Sequence, residues 1–280
     1  MTVAERLGRF GIWRSASLVT PELAVGIERF GFGALWLGGS PSGGLVQVAG
    51  LLDATTTLML GTSIVNIWRD EARDVASAFA RVQERHPGRF VLGVGAGHRE
   101  ATQRYARPYE AFARYVDVLR AEGVPRGSLV LAALGPKMLG LARDRAAGAI
   151  PYLVPPEHTR QARALLGPGP LLAPEHKVVL ETDPERARAL GRTRVRPYLG
   201  LVNYTGNLRR LGWSEDDLSG DGSDALIDAL VAHGSPAEVA AQLTRHLEAG
   251  ADHVCLQLIT EEGADPLPGY RELAPALGLS

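Results

Sequence analysis

Short apolar runs alternate along this chain with longer stretches in which apolar residues recur every three to four positions. The runs are Phe10–Trp13, Ala34–Leu37, Leu58–Ile64, Phe90–Val94, Leu129–Ala133, Ala149–Val154, Lys177–Leu180 and His253–Ile259, each bounded by Gly, Pro or polar residues. Their near-continuous apolar character predicts parallel strands covered on both faces. Between them, Asp74–Glu84 places Val75, Ala78, Phe79 and Val82 on one helical face. Tyr109–Ala121 does the same with Phe112, Tyr115, Val116 and Leu119, so both read as amphipathic helices against a core.

Helix starts repeat a form. Thr20-Pro21-Glu22, Pro155-Pro156-Glu157 and Asp183-Pro184-Glu185 put Pro in the first turn beside an acid that favours the helix dipole. Ser235-Pro236-Ala237-Glu238 is a capping box, and Gly250 suits a left-handed cap before the last run. Eight βα units in 280 residues give 280/8 = 35 residues each. That number fits a (β/α)8 TIM barrel, an α/β fold, where an open doubly wound sheet would stop at about five to seven strands. One barrel domain over residues 1–280 is expected. Pro197–Gly234, too long for a plain connection, reads as a rim insertion between the last two strands with its own helix at Asp224–Ala232.

Composition narrows the chemistry. Hydrophobic residues make up 45%, charged residues 22%, and the net charge is −1, which argues against disorder and against nucleic acid as a partner. The lone Cys255 cannot form an internal disulfide, and no apolar run reaches a membrane span of roughly 18 residues. The start MTVAERLGRF lacks the apolar core of a leader, so a cytoplasmic protein without membrane contact is expected. Only Lys137 and Lys177 are lysines among 30 basic residues, a bias typical of GC-rich genomes.

Several motifs fail. Gly93, Gly95 and Gly97 follow a strand, but His98 and Glu100 stand where a dinucleotide fingerprint needs small residues. Neither lysine completes a phosphate loop, and GGSPSGG around Ser40 and Ser42 is not a nucleophile elbow. The seven histidines form no i, i+4 pair, so no metal centre is expected. In a barrel, chemistry gathers at the C-terminal strand ends. Here those ends hold Trp13, Gly39-Ser40, Ser63-Ile64 with Asn66, Ala96-Gly97-His98, Leu134-Gly135-Pro136-Lys137-Met138, and Tyr152.

The words LMLGTSIVNIW, SAFARVQERHPGRFVLGVGAGH and VLAALGPKMLGLARDRAAGAIPYLVPPEHT, with LLAPEHKVVLETDPERAR and AGADHVCLQ after them, resemble the luciferase-like monooxygenase superfamily. Within it they look most similar to the coenzyme F-420-dependent oxidoreductases of actinobacteria. The resemblance spans nearly the whole chain. It implies a homodimeric barrel that binds coenzyme F-420, a deazaflavin, in the mouth, with a non-prolyl cis peptide at Ser63-Ile64 under its ring. Asn66 matches a cofactor-contacting position. Gly39, Ser40, Ser63, Ile64, Ala96 and Gly97 are the further cofactor-binding candidates, and Leu134, Gly135, Pro136, Lys137 and Met138 the phosphate-side ones.

The last of these assignments has independent physical support. A helix starting at Pro136 presents free N–H groups, Gly135 lets an anion approach, and Lys137 adds charge. A plain βα turn with a surface lysine is the competing reading. His98, whose imidazole titrates near pH 6.5, is the candidate acid or substrate-orienting group, against an ordinary loop histidine. Among Trp13, Trp36, Trp68 and Tyr152, which could line a wall or a core, Trp13 and Tyr152 are the candidates for the substrate pocket. Where relatives carry an Asp-His pair this chain has Gly39-Ser40, so their particular reaction does not transfer. The expected activity is hydride exchange between coenzyme F-420 and a small organic substrate. An FMN-dependent monooxygenase and a non-catalytic flavin-binding protein are the alternatives.

Overall fold

A computed structural model describes residues 2–97 and 108–279. Its strands are β1 (Phe10–Ser15), β2 (Ala34–Gly38), β3 (Met59–Ser63), β4 (Val65–Asn66), β5 (Phe90–Gly95), β6 (Leu129–Leu131), β7 (Gly148–Ala149), β8 (Leu171–Leu172), β9 (Glu175–Val179), β10 (Val231–His233) and β11 (Val254–Leu258). The first helices are α1 (Val3–Leu7), α2 (Pro21–Arg29), α3 (Val46–Ala54), α4 (Ala72–Arg85), α5 (Pro108–Ala121), α6 (Pro136–Arg145) and α7 (Pro156–Leu166). They are followed by α8 (Pro184–Leu199), α9 (Val202–Arg210), α10 (Glu215–Leu218), α11 (Asp224–Leu230), α12 (Pro236–Glu248) and α13 (Leu267–Ala276).

Every pairing is parallel, and the sheet curls in the order β10-β9-β11-β1-β2-β3-β5-β6-β7-β8, with β4 beside β5. The backbone from Leu171 to Val179 is bonded on both edges. Ala173 N–H donates to Ala149 at 3.0 Å and Glu175 N–H to Pro151 at 2.9 Å, while Asp252 and Cys255 donate to Leu172 and Pro174, each at 2.9 Å.

The two faces follow the period of two. Ile12, Leu35, Leu37, Leu60 and Leu92 pack with Ile27, Val48, Val75, Phe79 and Val116 of the surrounding helices. Ala34, Trp36, Met59, Val91 and Val130 form a separate cluster on the other face, joined by Leu7 of α1. Each Leu, Ile, Val, Met or Phe side chain so removed from water contributes about 1.5–3 kcal/mol. Trp36 Nε1 donates to His253 Nε2 at 3.0 Å, so His253 donates from Nδ1 to the Gly8 carbonyl at 2.7 Å. Arg89 bonds the Leu52, Thr55 and Leu58 carbonyls between α3 and β3.

The expected caps form. Thr20 Oγ1 accepts from Leu23 N–H, Asp183 Oδ1 from Glu185 and Arg186, Ser235 and Glu238 cap reciprocally, and Gly250 has φ +101°. Other boundaries are corrected. The expected helix Asp224–Ala232 stops at Leu230, because Val231–His233 pairs with Lys177–Val179. Of Ala149–Val154 only Ala149 is strand, as the end of Gly148–Ala149, and further on Leu153 turns the chain at φ +57°. Lys177–Leu180 begins earlier, at Glu175, and is preceded by β8. Pro197 does not open the 197–234 segment, since it lies inside α8, which continues to Leu199. The segment then holds α9, α10 and α11 rather than one helix. Their Leu208, Leu226, Ile227 and Leu230 bury against Val195 and Val231 in a third cluster.

Candidate active site

The strands β1 to β7 deliver their C-terminal ends to one cavity of about 560 Å³. Trp13, Gly39, Ser40, Ser63, Ile64, Asn66, Ala96, Gly97, Leu134, Gly135, Lys137, Met138 and Tyr152 all line it. Pro136, the first residue of α6, is not among the residues lining it. His98 lies outside the described residues.

The Ser63-Ile64 peptide is cis. On the strand before it, Thr62 Oγ1 donates to the Gly93 carbonyl and accepts from the Gly93 amide, both at 2.9 Å. The chain then resumes pairing, Val65 with Val94 and Asn66 with Gly95. Gly95 is required because a Cβ there would lie 2.6 Å from Ile64 Cγ1. Asn66 Oδ1 accepts from the Trp68 amide at 2.9 Å, which fixes the side chain at the cavity edge. Arg69 bonds the Ser40 carbonyl at 2.6 Å and the Pro41 carbonyl, so it holds the loop after β2.

The turn Leu134–Met138 opens α6 with Gly135 as N-cap and no side chain capping its N–H groups. His158 Nε2 donates to the Leu134 carbonyl at 2.8 Å. Arg210, from the end of α9, also lines the cavity, and its Nη2 would lie 3.6 Å from a Cβ placed on Gly135. Arg210 bonds Asn207 Oδ1 at 3.1 Å. Two cations and the uncapped helix start thus converge on one corner, and the described part of the wall carries no carboxylate.

A second polar group sits beneath Tyr152. Its hydroxyl lies 3.0 Å from both Tyr198 Oη and Gln257 Oε1. Its ring stacks at a tilt on Trp13, with centroids 5.3 Å apart, and meets Tyr198 and Tyr204 edge-on or tilted. Lys177 Nζ stands 4.1 Å from the centre of that ring and 3.1 Å from Glu175 Oε1. Both partners of this pair are buried, and burial pushes the Lys177 ammonium down and the Glu175 carboxyl up from their ordinary values. Burial likewise raises the Tyr152, Tyr198 and Tyr204 phenols.

Sequence reasoning missed Tyr198, Tyr204, Asn203, Val202 and Arg210, all on the wall but contributed by α8 and α9. It also missed the Glu175–Lys177 pair. Their i, i+2 spacing on a strand puts both side chains on one face, a signal present in PEHKVV but indistinguishable there from a solvated edge. Among the described residues no cluster of His, Cys, Asp or Glu forms a metal site, and no helix is long and apolar enough to cross a membrane.

Residues 19–123 match the luciferase-like monooxygenase family. No protein of curated function matches the sequence significantly. The fold is shared with an F-420-dependent secondary alcohol dehydrogenase in complex with an F-420–acetone adduct, at 17% identity and a TM-score of 0.75, covering 96% of this chain and 99% of that one. It is shared with the coenzyme F-420-dependent tetrahydromethanopterin reductase of Methanopyrus kandleri, at 16% identity and TM-score 0.68, over 96% and 98% of the two chains. The oxygenating constituent of 3,6-diketocamphane monooxygenase from Pseudomonas putida, in complex with FMN, is similar at 12% identity and TM-score 0.69, over 96% of each chain. Both cofactor types thus occur on this architecture.

Proposed function

We propose that the protein is a homodimeric, cytoplasmic oxidoreductase that exchanges hydride between coenzyme F-420 and a small organic substrate. The observation that carries this reading is the convergence on one cavity of the strand ends at Ser63, Ile64, Asn66, Ala96 and Gly97 with the cationic start of α6. The residues present fit the cofactor. Ile64, Asn66, Ala96 and Gly97 would hold its ring, and Gly135, Lys137 and Met138, with Arg210, its phosphate. When bound, coenzyme F-420 supplies or accepts the hydride at its ring C5. The chain orients the ring, anchors the anion and excludes water through α8 and α9, whose Tyr198 and Tyr204 cover part of the cavity. We also read the curled sheet as one (β/α)8 barrel domain in which Leu171–Val179 is a single strand, supported by its bonds on both edges. On that reading α9 to α11 form the rim insertion.

FMN-dependent monooxygenation is the second reading, favoured by the family match and by the FMN-bound neighbour. Binding titrations of coenzyme F-420, its phosphate-free ring fragment and FMN separate the two. Lys137→Ala should weaken coenzyme F-420 about tenfold or more and leave the ring fragment unchanged, because a charge-assisted contact is worth roughly 1.5–3 kcal/mol. Equal losses for both would mean Lys137 serves only the fold. Tight FMN binding without F-420 binding would replace the deazaflavin with FMN.

A further inference from the structure

The start of α6 offers backbone donors without acceptors. Pro136 has no N–H, and the amides of Gly135, Lys137 and Met138 have no partner among the described residues. Leu134 and Gly135 share one trans peptide plane, in which the Leu134 carbonyl and the Gly135 amide point in opposite directions. Whatever fixes that carbonyl therefore fixes the aim of the amide. No described backbone amide bonds the Leu134 carbonyl. His158, in the first turn of α7, donates to it from Nε2 at 2.8 Å. Leu134 and Gly135 line the cavity and His158 does not, so the carbonyl turns away from the cavity and the amide toward it.

A carbonyl only accepts, so the His158 imidazole carries its proton on Nε2. The residue is 3% exposed, and its Nδ1 is buried without a hydrogen-bond partner. Burial above all, with the Arg210 charge adding to it, holds the imidazole below its ordinary value, so the ring acts as a neutral donor. The helix that carries it is tied down on several sides. Thr159 Oγ1 lies 2.7 Å from His246 Nδ1 on α12, and His246 Nε2 lies 2.9 Å from His176 Nδ1 on β9. Arg163, one turn further along α7, bonds the Gly250 and Pro170 carbonyls and Asp252. We propose that His158 is a positioning residue for the anion corner: through the Leu134 carbonyl it aims the Gly135 amide at the cofactor phosphate. This rests on the reading of the α6 start as the phosphate corner.

The test pairs FMN with riboflavin, which differ by the phosphate alone, and coenzyme F-420 with its phosphate-free ring fragment. Binding titrations of the full chain give the ratio of affinities within each pair. In His158→Leu and His158→Asn that ratio should fall about three- to tenfold, the loss expected for a neutral hydrogen bond. Affinity for riboflavin and the ring fragment should stay unchanged. A Gln amide reaches the place of the imidazole Nε2 and an Asn amide falls short of it, so His158→Gln should hold the ratio within about twofold of wild type. The contrast of Asn with Gln decides the matter even if the leucine variant does not fold. A full ratio in His158→Asn, equal losses in Asn and Gln, or equal weakening of both members of a pair would overturn the proposal. Lys137→Ala in the same titrations separates this from the reading beneath it. A phosphate preference lost there but kept in His158→Asn leaves the corner standing and removes His158 from it. No phosphate preference in the wild type, and no effect of Lys137→Ala, would remove the corner and this inference with it.

Discussion

Glu175 Oε2 accepts the amide of Leu153 at 3.0 Å, and Leu153 holds the left-handed conformation at φ +57° that is uncommon for a branched residue. The carboxylate of β9 therefore fixes the turn that presents Tyr152 to the cavity, and the same carboxylate neutralises Lys177. Glu175→Leu should destabilise the fold by about 3–5 kcal/mol, because it strands a buried ammonium and a buried amide together. Glu175→Leu combined with Lys177→Met should recover part of that loss. Urea unfolding of the wild type and both variants checks this, and an unchanged midpoint in Glu175→Leu would refute it.

Gly38 ends β2 directly against the Trp13 indole, where an added Cβ would lie 1.9 Å from Cζ2. Gly38→Ala should cost about 1–3 kcal/mol as overpacking and displace the ring. Thermal melting gives the first, and a shift of the Trp13 indole N–H resonance the second. A variant as stable as wild type, with that resonance unmoved, would contradict the packing described.

Arg89 satisfies three carbonyls from one planar group, which a single ammonium cannot reproduce. Arg89→Lys is expected to lose about 1–3 kcal/mol in urea unfolding, with cofactor affinity retained, since the site lies at the other end of the strands.

Burial holds His176 and His253 at about 4 against an ordinary 6.5, with the Lys177 charge adding to the effect on His176. The unfolded chain takes up these protons near pH 6.5, the folded one only near 4. Stability is therefore undiminished above pH 6.5 and falls as pH drops from 6.5 toward 4, by about 1.4 kcal/mol per pH unit for each histidine. Unfolding free energies should slope less in His253→Gln than in wild type, by about half a proton near pH 6.5 and approaching one proton by pH 5.5. Identical slopes would show that His253 titrates alike in both states.

The strands that carry long apolar runs were legible in sequence, as were the helices announced by Pro-acid starts. Val231–His233 was not, because ALIDALVAH continues the helical period across the change to strand, and only pairing with β9 decides the boundary. The cavity residues at strand ends could be found from the barrel geometry that the repeat implied. Tyr198, Tyr204 and Arg210 could not, since their contribution depends on how α8 and α9 fold over the strands, a tertiary outcome without a local signature.

β1 pairs on one edge with β2 and on the other with β11, Gly11 opposite Cys255, a separation of 255 − 11 = 244 residues. At a synthesis rate of about 5–20 residues per second, the second edge of β1 waits roughly 12–50 s for its partner to be translated. Throughout that interval a nascent chain carries an unpaired, apolar strand edge, the kind of template that invites pairing with other chains. The edge facing β11 is therefore the last part of β1 to be shielded, and it stays open until the final strand leaves the ribosome.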